Sequence, residues 1–395
     1  MPWLLALSSC VHESPRPFPT WALIRADAPR PGADVTYLPR PSETDPQILQ
    51  TTNALYLSGC DISNAYLAQL KNNQHLGELD LSYNRITDAG LRDVSKLTSL
   101  RKLCLHGNKS VTDCGISRLG GLTNLEVLIV GDTGLTDRGL AAIGRLHRLR
   151  ELRIFDTKVT TRGLSRLTDL KALESLSIDE TKVDDRATQY IVQFPRLKHL
   201  NLADGRMTGR ALSGLRKMAQ LEELILSSAT DADLEAIEDM RNLTLLCLYD
   251  PRVTDAGLVH LAALQSLKEL HLSGTGVTDA GLVHLVTLLA LKELRLSRTG
   301  VTDAGLAHIR QLRNLESLHL DRCAITDEGI RQLRDLPHLR RLDVMDTQVT
   351  REAALEFQNL LRSRSSQSQA PNKTADGLPG QSDGQTHSMP AGIVP

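Results

Sequence analysis

Hydrophobic positions recur along the middle of the chain with a fixed step. The pattern LxxLxL begins at Leu76, Leu100, Leu125, Leu149, Leu173, Leu197, Leu221, Leu243, Leu267, Leu291, Leu315 and Leu339. A degenerate copy begins at Thr52, with Leu55 and Leu57 in place. The step is 24 residues, except for 25 after Leu100 and 22 after Leu221. Self-similarity this regular predicts a repeat architecture of thirteen copies. In the copy at Leu267, Leu270 and Leu272 lie two apart, the spacing of a short strand with one buried face. Leu282, Leu285 and Leu288 lie three apart, the spacing of one helical face. Between them, Thr278-Asp279 offers a helix N-cap and a carboxylate at the positive end of the helix dipole. Thr-Asp returns at 87–88, 112–113, 136–137, 254–255, 302–303 and 326–327. Each copy therefore reads as strand, tight turn, capped helix of about three turns, and return. One copy alone cannot bury enough apolar surface to order itself, so the copies must stack.

Written out, LxxLxLxxTxVTDxGLxxLxxL resembles the leucine-rich repeat, in the short Thr-Asp-x-Gly-Leu variety common in bacterial proteins. It is also similar to the cysteine-containing repeats of F-box substrate receptors, with Cys60 and Cys323 at the cysteine position. The resemblance covers residues 50–361. It implies an α/β fold, a right-handed, horseshoe-shaped solenoid of about 13 repeats with strands on the concave side and helices on the convex side. For function it implies protein binding and little more.

The turn position after each strand, usually Asn in that family, reads Cys60, Asn84, Asn108, Thr133, Thr157, Thr181, Gly205, Ala229, Pro251, Thr275, Thr299, Cys323 and Thr347. Small donors there are expected to bond the turn backbone of the neighbouring copy. Gly205, Ala229 and Pro251 lack such a donor, and the 22-residue copy falls in the same stretch. A local irregularity is expected across 197–264.

Outside the repeats the composition changes. Nine of the 16 prolines lie in the first 46 residues, so 1–46 reads as a poorly ordered lead-in, 47–362 as the repeat body, and the Ser/Gln/Gly/Pro-rich 363–395 as an unfolded tail. Leu7-Ser8-Ser9-Cys10 resembles the lipobox of bacterial lipoproteins, which implies lipidation of Cys10. The apolar run Trp3–Leu7 is five residues long and no Lys or Arg precedes it, so such a signal would need a start upstream of Met1. The expectation is a cytoplasmic protein, with an envelope lipoprotein as the alternative. A further alternative, a substrate-recognition subunit of an F-box-like ubiquitin ligase, needs a helical adaptor-binding module that the Pro-rich 11–41 stretch cannot form.

The balance of 46 Lys+Arg against 47 Asp+Glu removes the basic surplus of a nucleic-acid or anionic-membrane binder. No apolar run reaches the length of a membrane-spanning helix. The 71 leucines against 12 aromatics fit one thin layer packed many times over. GxSxG, GxxxxGK and HExxH are absent, so no enzyme is expected. The cysteines at 10, 60, 104, 114, 247 and 323 form no CxxC pair, so neither a zinc site, a disulfide framework nor any cofactor is expected. His260, His284 and His308 share one phase, but GLVHL, GLVHL and GLAHI are near-copies, which favours duplication over a metal stripe.

Candidate binding residues come from the third, fifth, seventh and eighth positions of each copy, which line the concave side. The eighth reads Asp132, Asp156, Glu180 and Asp204, then Ser228 and Asp250, with Asp179 at a seventh position. Carboxylates on strands about 4.8 Å apart repel unless a cationic partner compensates, although an Asp after a strand also bonds the following turn. Further along, His271, Arg295 and His319 at the fifth position and Arg298 and Arg322 at the eighth turn the surface basic. Ile129, Phe155, Ile225, Leu245, Cys247 and Tyr249 are expected to face solvent there, with Phe155 and Tyr249 as anchors. The chain reads as a non-enzymatic scaffold. Its protein partner would offer basic residues to the Asp132–Asp250 line and acidic ones to Arg295, Arg298 and Arg322.

Overall fold

The computed structural model describes residues 35–37 and 46–368. Fourteen short strands form one parallel sheet in strict chain order, from Val35–Tyr37 to Arg341–Asp343. Register follows the leucine pattern: Leu246 pairs with Leu270, Leu270 with Leu294, and Leu294 with Leu318. The leucines of the pattern turn to one side, where Leu267, Leu270 and Leu272 are wholly buried with Leu285 and Leu288 of the helical side in one continuous core. The thin-layer solenoid is therefore what the chain builds. The helices are shorter than three turns. Up to the last copy they run four to seven residues, as in Asp255–Leu258 and Asp303–Ile309, and some are 3-10 turns such as Gly281–Leu285.

The Thr-Asp signature does two jobs. The threonine is the N-cap: the Thr302 hydroxyl accepts the N–H of Ala304. The aspartate reaches to the next copy, where Asp279 accepts both the Thr302 N–H (2.8 Å) and its hydroxyl (2.6 Å). The same clip joins Asp88 to Thr112, Asp113 to Thr136, Asp231 to Thr254 and Asp303 to Thr326. The glycine two residues after each Asp is fixed by this clip. A Cβ on Gly305 would collide with the Asp279 carboxylate, and one on Gly257 with that of Asp231. A four-residue sequence motif thus encodes a cap, a charge-assisted bond between copies, and the space that bond occupies.

The turn ladder differs from the expectation. Asn84 does bridge copies, donating to the Leu57 carbonyl (2.8 Å) and accepting from Ile62 N–H. Asn108 does the same toward Leu81, and the Cys323 thiol reaches the Leu296 carbonyl at 3.1 Å. Most of the threonines bond within their own copy, although Thr299 also meets the Cys323 thiol of the next copy at 3.6 Å. Thr133, Thr157 and Thr275 each donate to a carbonyl three residues back in their own copy, because their hydroxyl sits one bond closer to the backbone than an Asn amide. The irregular stretch is present where expected. The strands Glu223–Leu226 and Leu245–Leu248 have four residues instead of three. Ser228 and Asp250 also leave the left-handed conformation that the eighth position takes at Asp132, Asp156, Arg298 and Arg322.

Both ends depart from the sequence reading. Val35–Tyr37, inside the stretch expected to lack order, is a strand paired with Ala54–Tyr56. Its β-branched and aromatic residues suit a strand, and it extends the sheet by one strand beyond Ala54–Tyr56. At the other end the helix Arg351–Ser368 runs past residue 362. It buries Phe357 and Leu361 against the last copy, and Arg364 bonds the Arg334 and Leu336 carbonyls. Cys10 lies outside the described residues. Among the described residues no helix is long and apolar enough to cross a membrane.

Candidate functional site

Side chains at the third, fifth and seventh positions leave the sheet on the face turned away from the helices, because strand residues alternate sides. On this open face several apolar candidates are not exposed. Ile129 is 5% exposed and packs on Cys104, with Val127 and Phe155 half-buried beside them. Ile225 (6%), Leu245 (3%) and Cys247 (0%) pack together with Ala203 and Tyr249. The expectation that these residues face solvent is therefore corrected: neighbours in strands about 4.8 Å apart bury one another. What stays accessible is the rim of each cluster, formed by Phe155 and Tyr249. Sequence reasoning missed Tyr83 at the eighth position and His106 at the seventh position of the two copies that begin at Leu76 and Leu100. Tyr83 is 60% exposed, shares a 2.6 Å hydrogen bond with His106, and the His106 ring meets that of Phe155 at a tilt, with 4.8 Å between centroids.

The acidic line has a backbone cause. Asp132, Asp156, Glu180 and Asp204 all take the left-handed conformation, with φ between 47° and 52°. A short Asp tolerates that region better than most residues, so its recurrence is first a requirement of the turn. Glu180 has no such advantage. Asp156 and Asp204 are exposed, and Asp132 lies 3.5 Å from Lys109. Asp250 drops out of the line: it is 7% exposed and closed onto Arg252 at 2.7 Å, whose hydrogen bond pulls its carboxyl below the usual range. Asp179 is the opposite case. It is 5% exposed, accepts the Ser177 hydroxyl, and makes no ion pair among the described residues; burial pushes its carboxyl up to about 6.

The basic C-terminal stretch is neutralised. Arg295 is held by Glu293 at 2.6 Å and Arg322 by Asp346 at 2.9 Å, while Arg298 is exposed. His319 is 7% exposed and binds Asp343 at 2.7 Å through Nδ1. The expected change from acidic to basic is therefore corrected, because acids at the third, fifth, seventh and eighth positions (Glu293, Asp343, Asp321 and Asp346) interleave with these cations. His271 is wholly buried between the Cys247 thiol (3.1 Å) and Glu293 (3.5 Å), and burial lowers its pKa. Thiol, imidazole and carboxylate are thus in line, yet burial pushes the Cys247 thiol up to about 12, which leaves it a neutral thiol and a poor nucleophile. His319, Asp321 and Asp343 form the one group among the described residues with metal-ligand proximity. Asp321 already accepts from Ser297 and Met345 N–H, and the Arg341 guanidinium sits 2.8 Å from Asp343, so the donor set reads as an ion-pair network. In the histidine stripe, His260 bonds Glu238 at 2.7 Å.

One cavity of about 330 Å³ opens on this face. Register explains it. Glu151, Ser175, His199 and Glu223 lie side by side, as do Arg153, Ser177, Asn201 and Ile225. The two serines leave a dent between larger neighbours, and Leu176 and Leu200, which also border it, turn their side chains into the core on the other side of the sheet. The cavity lies between the two apolar clusters, and Asp179 meets it through Ser177.

A family model described as "Leucine-rich repeat region" matches residues 124–377, and one described as "Leucine Rich repeat" matches 72–95. No curated protein matches the chain. Among solved structures, an internalin from Listeria monocytogenes is similar at 20% identity with a TM-score of 0.56, over 80% of this chain and 91% of that one. A leucine-rich-repeat protein from Leptospira interrogans is similar at 20% identity with a TM-score of 0.42, over 80% and 96%. At 20% identity the likeness to the internalin is one of fold.

Proposed function

Because the chain belongs to the leucine-rich repeat family, we propose that it is a non-enzymatic scaffold that binds a protein partner on the open face of its sheet. The surface is centred on the copies that begin at Leu100 to Leu243. The observation that carries this reading is the pairing of a polar cavity with two flanking apolar clusters on one face. Interfaces combine apolar anchors with a polar surround in this way, and half-buried Phe155 and Tyr249 with exposed Tyr83 supply rigid anchors. Asp156 and Asp204, exposed beside the cavity, favour a partner with basic residues.

The test uses the full chain as bait. Replacing Asp156, Glu180 and Asp204 together by Lys is expected to weaken retention of a captured partner by about tenfold or more. The helix-side control, Val259→Lys with Val283→Lys, exposed in the fold, is expected to retain it. Loss with the control and retention with the triple variant would place binding on the helices and overturn the reading.

A further inference from the structure

We propose that the row of rings formed by Tyr83, His106 and Phe155 is a cation–π platform that takes an arginine side chain of the protein partner, with Asp132 and Asp156 as its charge partners. This rests on the scaffold reading and names what one part of the open face recognises. The rings come from the seventh and eighth positions of the copies that begin at Leu76, Leu100 and Leu149. Two glycines let them lie side by side. A Cβ on Gly107 would stand 2.7 Å from the Tyr83 ring, and one on Gly131 would stand 2.6 Å from the Phe155 ring. Ring centroids are 4.6 Å apart from Tyr83 to His106 and 4.8 Å apart from His106 to Phe155. A chain of hydrogen bonds fixes the set. His106 Nδ1–H donates to the Gly131 carbonyl at 3.1 Å, which leaves Nε2 of the neutral imidazole to accept the Tyr83 hydroxyl at 2.6 Å. Burial lowers the His106 pKa, so the ring is neutral at pH 7 although three carboxylates pull the other way.

Tyr83 is the residue that folding does not explain. Its φ is 54°, in the left-handed region that Asp132, Asp156 and Asp204 occupy at the same position of other copies. A bulky ring there costs backbone energy, and at 60% exposure it recovers little by burial. Register decides what lies beside it. The N–H groups of Tyr83, Gly107 and Asp132 each bond the seventh-position carbonyl of the following copy, so Tyr83, Gly107, Asp132 and Asp156 stand in one row, about 4.8 Å per step. The row runs from ring through gap to acid. The charges of Asp80, Asp132 and Asp156 all act on His106. Asp156 is exposed and makes no ion pair among the described residues. Lys109 lies 3.5 Å from Asp132 with its side chain 79% exposed, an ion pair weak enough for a guest to replace. A guanidinium is flat, weakly hydrated, stacks on rings and offers five donors to carboxylates, whereas a strongly hydrated ammonium gains chiefly from the carboxylates.

The experiment titrates the peptide acetyl-Gly-Arg-Gly-Arg-Gly-amide into the full chain by calorimetry at pH 7.5 and low salt, beside counterparts with lysine or neutral citrulline in place of arginine. The arginine peptide is expected to bind in the millimolar range or tighter, about fivefold tighter than the lysine peptide, with citrulline weaker still. Tyr83→Asn, a residue that suits the left-handed turn, is expected to weaken the arginine peptide about fivefold, to the level of lysine. Tyr83→Phe, which keeps the ring, is expected to keep the arginine preference. Asp132→Asn with Asp156→Asn is expected to weaken both cationic peptides together. Thermal melts establish that the variants are folded. Equal binding of arginine and lysine by the wild type, an arginine preference that survives in Tyr83→Asn, or no binding of the arginine peptide overturns the platform. The probe needs no partner. Failure here with partner capture still sensitive to the open-face reversals removes the platform alone, whereas insensitivity of capture removes the scaffold reading.

Discussion

Asp179→Asn is expected to stabilise the chain by about 3 kcal/mol at pH 7 and above, and to change nothing near pH 3. The carboxyl titrates at about 6 in the fold against an ordinary 3.8. A group whose folded pKa is raised holds its proton more tightly in the native state. Its contribution is therefore present at low pH and is lost as pH rises through about 6, at about 1.4 kcal/mol for each tenfold gain in proton affinity on folding. Burial dominates. The adjacent Glu180 carboxylate pushes the same way, while the Ser177 hydroxyl and the Arg153 charge across the sheet oppose it. Asn stays neutral throughout, so the variant-minus-wild-type difference should climb between about pH 4 and 6 and then level. Subtracting the two profiles isolates this site from Glu293 and Asp343, whose carboxyls are held down at about 2 by hydrogen bonds to His271 and His319. Urea unfolding at stepped pH measures it. A flat difference, or a variant less stable at pH 7, contradicts an uncompensated buried carboxylate.

Phe194→Ala is expected to cost about 3–5 kcal/mol, and Phe194→Leu less than about 1.5 kcal/mol. Phe194 is wholly buried in a row that Leu146, Leu170 and Leu264 fill in other copies, and its neighbour in the row is the pliable Met218. Leucine restores the side chain the row normally carries. Alanine leaves a cavity in a layer only one side chain deep, with no second layer to relax into it. Because each copy contacts only its neighbours, the loss should also reduce the cooperativity of urea unfolding, seen as a lower m-value or a split transition. A loss below about 1 kcal/mol would contradict the tight layer.

The repeat makes the fold legible because its information is redundant. Period-2 leucines, period-3 leucines, Thr-Asp caps and obligatory glycines all point to the same unit. The break in the turn donors at Gly205, Ala229 and Pro251 marks the stretch in which the last two copies lengthen their strands by one residue, while the Gly205 copy keeps a three-residue strand. The open face is harder to read. Position within a copy says which way a side chain points, but not whether its neighbours cover it, so Ile225 and Leu245 read as exposed and are buried. Charge misleads for a related reason: Arg295 and Arg322 read as free cations until Glu293 and Asp346, which hold them, are set beside them. The cavity is visible once the third and fifth positions are written side by side, where Ser175 and Ser177 stand out between Glu151, Arg153, His199 and Asn201. The first strand and the full C-terminal helix are invisible to the repeat because neither repeats.

Binding of a protein partner on the open face of the middle copies is tested most directly by hydrogen exchange of the chain, alone and with a captured partner. Slower exchange is predicted at 127–133, 151–157, 175–181 and 199–205, the strand-and-turn segments around the cavity, with 303–309 on the helical side unchanged. Protection confined to the helical side or to the ends of the solenoid would contradict it.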